Sequence, residues 1–104
     1  MKQQSEPDFN EDFEWDETKA NINLKTHRVS FEEAVTVFAD SFSITFSDPD
    51  HSFEEQRFIV IGLSNKFRSL FVSFTERGKK TRIISAREVT AKERNSYEQK
   101  RRKF

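Results

Sequence analysis

The chain has no cysteine, which excludes disulfides and cysteine-ligated metal centres and fits a reducing compartment. No apolar run approaches the roughly 18 residues of a membrane span, and the acidic start has none of the features of a signal peptide. A cytoplasmic protein without membrane contact is therefore expected. Apolar residues are scarce too, at 34% against 35% charged. Phenylalanine makes up the deficit. Twelve Phe rings, each burying about 150–250 Å², give a chain of 104 residues the means to build one modest core. That length suits a single domain.

The net charge of zero conceals a strong segregation. Residues 1–17 carry one Lys against seven Asp or Glu, residues 18–56 three basic against seven acidic, and residues 57–104 fourteen basic against four. The C-terminal half alone has the balance of a nucleic-acid binder. A solubilising basic tail is the plainer alternative, but basic positions also fall inside the expected strands.

Residues 1–11 lack apolar periodicity and read as a disordered tail, which leaves 12–104 as the domain. Phe13-Glu14-Trp15 alternates as a short edge strand does. Asp16 is placed to cap a helix over Glu17 to Thr26, with Ala20, Leu24 and His27 near one face. Ser30 and Glu33 form a capping-box pattern for a second helix, whose buried stripe is Phe31, Ala34, Val35 and Phe38. Alternation at Phe42, Ile44 and Phe46, apolar runs over Arg57 to Leu63 and Leu70 to Thr75, and Thr81 to Arg87 read as strands. Thr90 and Glu93 open a final helix to about Arg102. Hairpin-length connections favour an α+β fold, an antiparallel sheet of about four strands with two N-terminal helices and one C-terminal helix.

Arginine is the side chain suited to stabilise charge on a phosphate, because its guanidinium forks onto oxygens and stays charged. Arg57, Arg68, Arg77, Arg82 and Arg87 lie on or beside strands. Alternation sends Ile83, Ser85 and Arg87 one way and Arg82, Ile84 and Ala86 the other, so Arg82 and Arg87 share a face only if a bulge intervenes. His27 and His51 are the only imidazoles. His27 at a helix end suits the helix dipole or proton transfer equally, while His51 follows an acidic turn and reads as a solvent-facing loop residue. The acidic turn itself matches no metal-ligand loop. Glu55 stands near Arg57 and suits an ion pair more than a proton shuttle. Lys19 reads as an exposed helix lysine or a phosphate contact, and Trp15 as packing beneath the first helix or a stacking platform for a base.

Several short motifs recur in order. They are Phe13-Glu14-Trp15-Asp16, Lys19, Asn23, His27, Val29-Ser30-Phe31-Glu32-Glu33-Ala34, Asp48-Pro49-Asp50-His51, Glu55-Gln56-Arg57-Phe58, Glu76-Arg77-Gly78 and Arg82-Ile83-Ile84-Ser85-Ala86-Arg87. This series resembles the BrnT family, the toxin half of a bacterial type II toxin–antitoxin pair, over about four fifths of the chain. The resemblance implies a RelE-like fold and metal-independent RNA cleavage without a cofactor. It implies His27 or Glu55 as the proton-transfer group and Arg57, Arg82 and Arg87 as catalytic cations. Lys19, Trp15, Arg68 and Arg77 would bind RNA. A BrnA-type antitoxin would neutralise the toxin and supply contact with operator DNA. Two departures stand out: Thr26-His27-Arg28 where relatives often read Lys-His-Gly, and Phe67 where the loop before Arg68 often has glycine. The first motivates an alternative, a non-catalytic RNA- or partner-binding module that keeps the fold.

Overall fold

The computed structural model describes residues 12–51, 53 and 55–102, so the tail expected over 1–11 lies outside the described residues. Strand β1 (Phe13–Glu14) leads into helix α1 (Glu17–His27) and then α2 (Phe31–Thr36), which tightens into a 3-10 turn over Val37–Ala39. Strand β2 (Ile44–Ser47), a second 3-10 turn (Pro49–His51), and strands β3 (Arg57–Leu63), β4 (Ser69–Arg77) and β5 (Lys80–Glu88) follow. Helix α3 (Ala91–Arg102) closes the order. Among the described residues no helix is long and apolar enough to cross a membrane.

The helix boundaries follow from capping chemistry. Asp16 Oδ1 accepts from the N–H of Thr18 at 2.8 Å and of Lys19 at 3.2 Å, satisfying donors that the first turn leaves orphaned. Arg28 ends α1 in the left-handed region at φ 60, its N–H returning to the Leu24 carbonyl. Ser30 Oγ caps α2 through the Glu33 N–H at 3.0 Å. The reciprocal half of that box is absent, because the Glu33 carboxylate turns inward to Ser64 and Arg68. At α3 both halves form: Thr90 N donates to Glu93 Oε1 at 2.9 Å and Glu93 N to Thr90 Oγ1 at 3.2 Å.

The sheet has five strands in the order β1-β5-β4-β3-β2. The expectation of about four antiparallel strands therefore needs correction: β1 joins as a fifth and pairs parallel to β5, Phe13 with Thr81 and Glu14 with Arg82. Sequence neighbours that meet through short hairpins must pair antiparallel, whereas β1 meets β5 only across the rest of the fold. A second correction concerns β5. Ser73 pairs with Ser85 but Phe74 pairs with Ile83, so Ile84 is an extra residue, a β-bulge. Strict alternation fails there. Ile83 and Ala86 both enter the core beneath the helices, while Ile84, Ser85 and Arg87 all line the opposite face.

The helix-side core gathers Val29, Phe31, Ala34, Val35 and Val37 onto Val60, Leu70, Val72, Phe74, Ile83 and Ala86. Phenylalanines stitch it: Phe38 lies 5.0 Å from both Phe13 and Phe74, and Phe58 stacks on Phe74 at 5.5 Å. On the other face Tyr97 of α3 packs with Ile59, Ile61 and Val89, and its hydroxyl donates to Asp40 Oδ2 at 2.6 Å. Helix α3 thus covers only part of that face.

Helix α1 does not meet the sheet through Leu24, as apolar spacing suggested. Leu24 is 47% exposed, and the buried residue is Asn23. Its side-chain amide donates to the carbonyls of Val29 and Ala86 and its Oδ1 accepts from the Ala86 N–H at 3.1 Å. The helix therefore docks by replacing a missing strand on the edge of β5 just past the bulge. Asn23→Ala leaves those buried backbone groups unsatisfied and is expected to cost about 2 kcal/mol. Thermal denaturation reads this as a Tm fall on the order of 10 °C; an unchanged Tm would contradict the docking role.

Candidate functional site

Beyond the area that α3 covers, the sheet face opposite α1 and α2 carries a depression of about 350 Å³. Its floor is Ile59, Phe71, Ser73, Ile84 and Ser85, and Arg57, Arg87, Asp48 and His51 stand around it. Arg57 comes from the first residue of β3 and Arg87 from near the end of β5, and the intervening β4 brings them into one face through its pairings with both strands. The bulge is what directs Arg87, Ser85 and Ile84 together.

Arg87 is held rigidly. Its Nη1 and Nη2 each donate at 2.9 Å to one oxygen of Glu93, and the guanidinium carbon lies 4.0 Å above the Phe71 ring. The Arg87 hydrogen bond holds the Glu93 carboxyl below the ordinary carboxylate range, outweighing burial, with help from the Thr90 N–H. Arg57 Nε lies 3.5 Å from Glu55, whose other oxygen lies 3.6 Å from Arg77. Arg82 turns toward the β1 edge and meets Glu14 at 3.3 Å. Each of these four arginines therefore has a carboxylate neighbour.

His51 stands beside the arginines with its Nδ1 2.9 Å from Asp48 Oδ2. A proton on Nδ1 donated to that carboxylate leaves Nε2 as the free base, the usual way a neighbouring carboxylate fixes the tautomer. His51 and Arg57 also line an adjoining depression with Asp50, Phe53 and Glu55. His51 is the solvent-facing loop residue expected from the sequence, its side chain 65% exposed, and what the fold adds is the pairing with Asp48. The signal that identifies it is the Asp48–His51 spacing across Pro49, which a turn folds into a hydrogen-bonded pair.

His27 and Lys19 lie elsewhere, in a depression of about 250 Å³ between α1 and β5 lined also by Ile22, Asn23 and Thr26. Its remaining walls are Ile84 and Ser85, the residues it shares with the arginine depression. The two hollows thus adjoin across the bulge.

Trp15 and Arg68 belong to neither hollow. The Trp15 ring meets Phe31 edge-on at 5.9 Å within the helix-side core, and its Nε1 donates to Glu17 at 3.1 Å. Arg68 anchors the loop over 64–68: Nε donates to Glu33 Oε2 at 3.0 Å, Nη2 to Glu33 Oε1 and to the Arg28 carbonyl, and Nη1 to Glu88. In that loop Phe67 has φ 62 and is 83% exposed, the left-handed geometry that glycine adopts without strain. Packing and loop closure are what these two side chains do in the fold.

Burial pushes the Glu33 carboxyl up, but hydrogen bonds from Arg68 and Ser64 outweigh it and hold the group below its ordinary value of 4.5. A lowered folded-state pKa stabilises fully above the unfolded value, and the contribution is lost as pH falls through the folded value. Glu33→Gln is expected to cost about 2 kcal/mol at pH 7, with the gap to wild type closing as urea unfolding is repeated from pH 5 down to about pH 3. A gap independent of pH would contradict the ionised pair.

The structure is thus that of an α+β protein with a cationic, partly apolar hollow on one sheet face, rimmed by an imidazole–carboxylate pair. The chain belongs to the family of ribonuclease toxins, BrnT, of type II toxin–antitoxin systems, whose model matches residues 15–93. The fold is similar to that in the crystal structure of the Brucella abortus ribonuclease toxin, BrnT, at a TM-score of 0.54 and 23% identity. That likeness covers 73% of this chain and 92% of the other and bears on the fold. No curated protein matches the chain. The family expected from the ordered motifs is thus the family found.

Proposed function

We propose that this protein is an endoribonuclease that cleaves RNA without a metal ion, by attack of a ribose 2′-hydroxyl on the adjacent phosphorus. The observation that carries the reading is the convergence of Arg57, Arg87 and the Asp48–His51 pair on one hollow. Cleavage of this kind needs a base for the 2′-hydroxyl proton, cations for charge on the phosphorane oxygens, and an acid for the leaving 5′-oxygen. His51 Nε2 takes the first role, its imidazole oriented by Asp48. Arg57 and Arg87 take the second, with the phosphate competing against Glu55 and Glu93 for their N–H donors. The new bond joins the 2′-oxygen to phosphorus as the bond to the 5′-oxygen breaks. The departing oxygen takes a proton from solvent water and His51 returns the proton it drew from the 2′-hydroxyl to solvent, so the products are a 2′,3′-cyclic phosphate and a 5′-hydroxyl.

His51 displaces His27 and Glu55 as the favoured proton-transfer group because it borders the same hollow as both arginines, whereas His27 borders the adjoining one. Glu55 serves instead to set Arg57 and Arg77. Arg82 supports the rim through Glu14 and extends the positive field along which RNA approaches. The family's antitoxin would be of the BrnA type, would cover this cationic face in the cytoplasm and would supply the contact with operator DNA, and the fold would be RelE-like. A second reading, a binding module without turnover, draws on the carboxylate beside each arginine. RNA incubated with the purified protein in EDTA separates the two. The enzyme is expected to leave cyclic-phosphate ends, with the rate falling about 10²- to 10⁴-fold in His51→Gln and by about 10²-fold or more in Arg57→Ala. RNA binding without any cleavage would overturn the enzyme reading.

A further inference from the structure

We infer that the hollow between α1 and the bulged stretch of β5 is a nucleotide subsite, seating an unpaired nucleoside that flanks the scissile phosphate. The inference rests on the ribonuclease reading and extends it from the reacting phosphate to the strand that carries it. Three observations support it. First, the hollow adjoins the arginine depression, because Ile84 and Ser85 border both. A strand whose phosphate sits between Arg57 and Arg87 passes over these two residues on its way to α1. Second, the lining has the mixture that small-molecule sites use: apolar walls with a few polar groups that set orientation. Ile22, 58% exposed, and Ile84 supply apolar surface, and the Thr26 and Ser85 hydroxyls supply donors and acceptors for a base edge. Third, the charge is of the right sign and uncommitted. Lys19 and His27 border the hollow, no Asp or Glu does, and neither has an ion-pair partner among the described residues. This contrasts with Arg57, Arg77, Arg82 and Arg87, each of which must exchange a carboxylate for a phosphate.

The occupant these features fit is single-stranded RNA. A base can enter the hollow only if it is splayed out of a helix, the mode by which proteins read unpaired RNA. Lys19 then holds the next phosphate as a point charge, and His27 acts in binding through its ring face or edge. The histidine of the Thr26-His27-Arg28 segment thereby acquires a role separate from proton transfer.

The test uses a fluorescent hexanucleotide with every 2′-hydroxyl methylated, which cannot be cut, and reads its affinity by anisotropy in low salt. Lys19→Ala and Ile22→Asp are each expected to weaken binding about tenfold, through loss of a phosphate contact and through a carboxylate set in the path of the strand. Leu24→Asp, on the same helix but outside the hollow, serves as the control and is expected to bind as wild type does. Thermal melts confirm that all three variants fold. If Ile22→Asp binds like wild type while unmodified RNA is still cut, the subsite is overturned and the ribonuclease reading stands. If Ile22→Asp weakens binding but the wild-type protein cuts no RNA, the subsite stands and the ribonuclease reading falls. If Ile22→Asp disturbs only capture of the antitoxin, the hollow is a protein-docking surface and the inference is overturned.

Discussion

One residue too many in β5 organises the functional face. With Ser73 opposite Ser85 and Phe74 opposite Ile83, Ile84 has no partner of its own and the strand must turn within a single step. The turn lets Ile83 and Ala86 both serve the helix-side core, though a regular strand would send one of them out. It also sends Ile84, Ser85 and Arg87 to the same side, giving the face its floor and one of its cations. Asn23 fixes the distortion from outside by hydrogen bonding both backbone groups of Ala86. The bulge and the helix clamp are therefore one device, in which α1 supplies the partner that a neighbouring strand would otherwise give.

Charge on that face is arranged rather than merely accumulated. The C-terminal half is strongly basic, yet Arg57, Arg77, Arg82 and Arg87 each lie within 4 Å of a carboxylate. Such pairs contribute little to stability where solvent reaches them. Their effect is on direction, as with Glu93, which holds the Arg87 fork over the Phe71 ring. In the proposed mechanism a phosphate meets guanidinium groups already aimed, and it must displace an internal anion. Preorganisation of this kind is what electrostatic stabilisation of a transition state requires. Neutralising acidic residues also keep a free, folded chain from carrying an unrelieved positive surface.

Local chemistry was legible and long-range geometry was not. Asp16, Ser30 and the Thr90–Glu93 pair mark the three helix starts as the structure has them, because caps depend on residues three apart. The hairpins from β3 to β5 were legible from their spacing. The parallel pairing of β1 was hidden, since Phe13 and Thr81 are brought together by the whole fold. The bulge was recognised only as a condition for Arg82 and Arg87 to share a face, because nothing in Arg82-Ile83-Ile84-Ser85 distinguishes it from a regular run. Leu24 misled because apolar spacing picks out only apolar contacts: Ala20 does pack against the core, but the residue that α1 buries is the amide Asn23. Among the candidate site residues, Arg57 and Arg87 converge, Lys19 and His27 adjoin them, and Trp15 and Arg68 serve the scaffold. His51 is solvated, as a histidine after an acidic turn is expected to be, and only the folded turn shows it against Asp48.

In the proposed mechanism the bulged face holds the phosphate to be cut between Arg57 and Arg87, with the His51 imidazole at the attacking ribose. A crystal structure with an RNA tetranucleotide carrying one 2′-deoxy sugar tests it most directly. The phosphate beside that sugar is expected within hydrogen-bond distance of both guanidinium groups, with His51 Nε2 facing the 2′ carbon. RNA bound over α2 on the other face of the sheet, or at the far edge by β2 with the arginines still closed on their carboxylates, would contradict it.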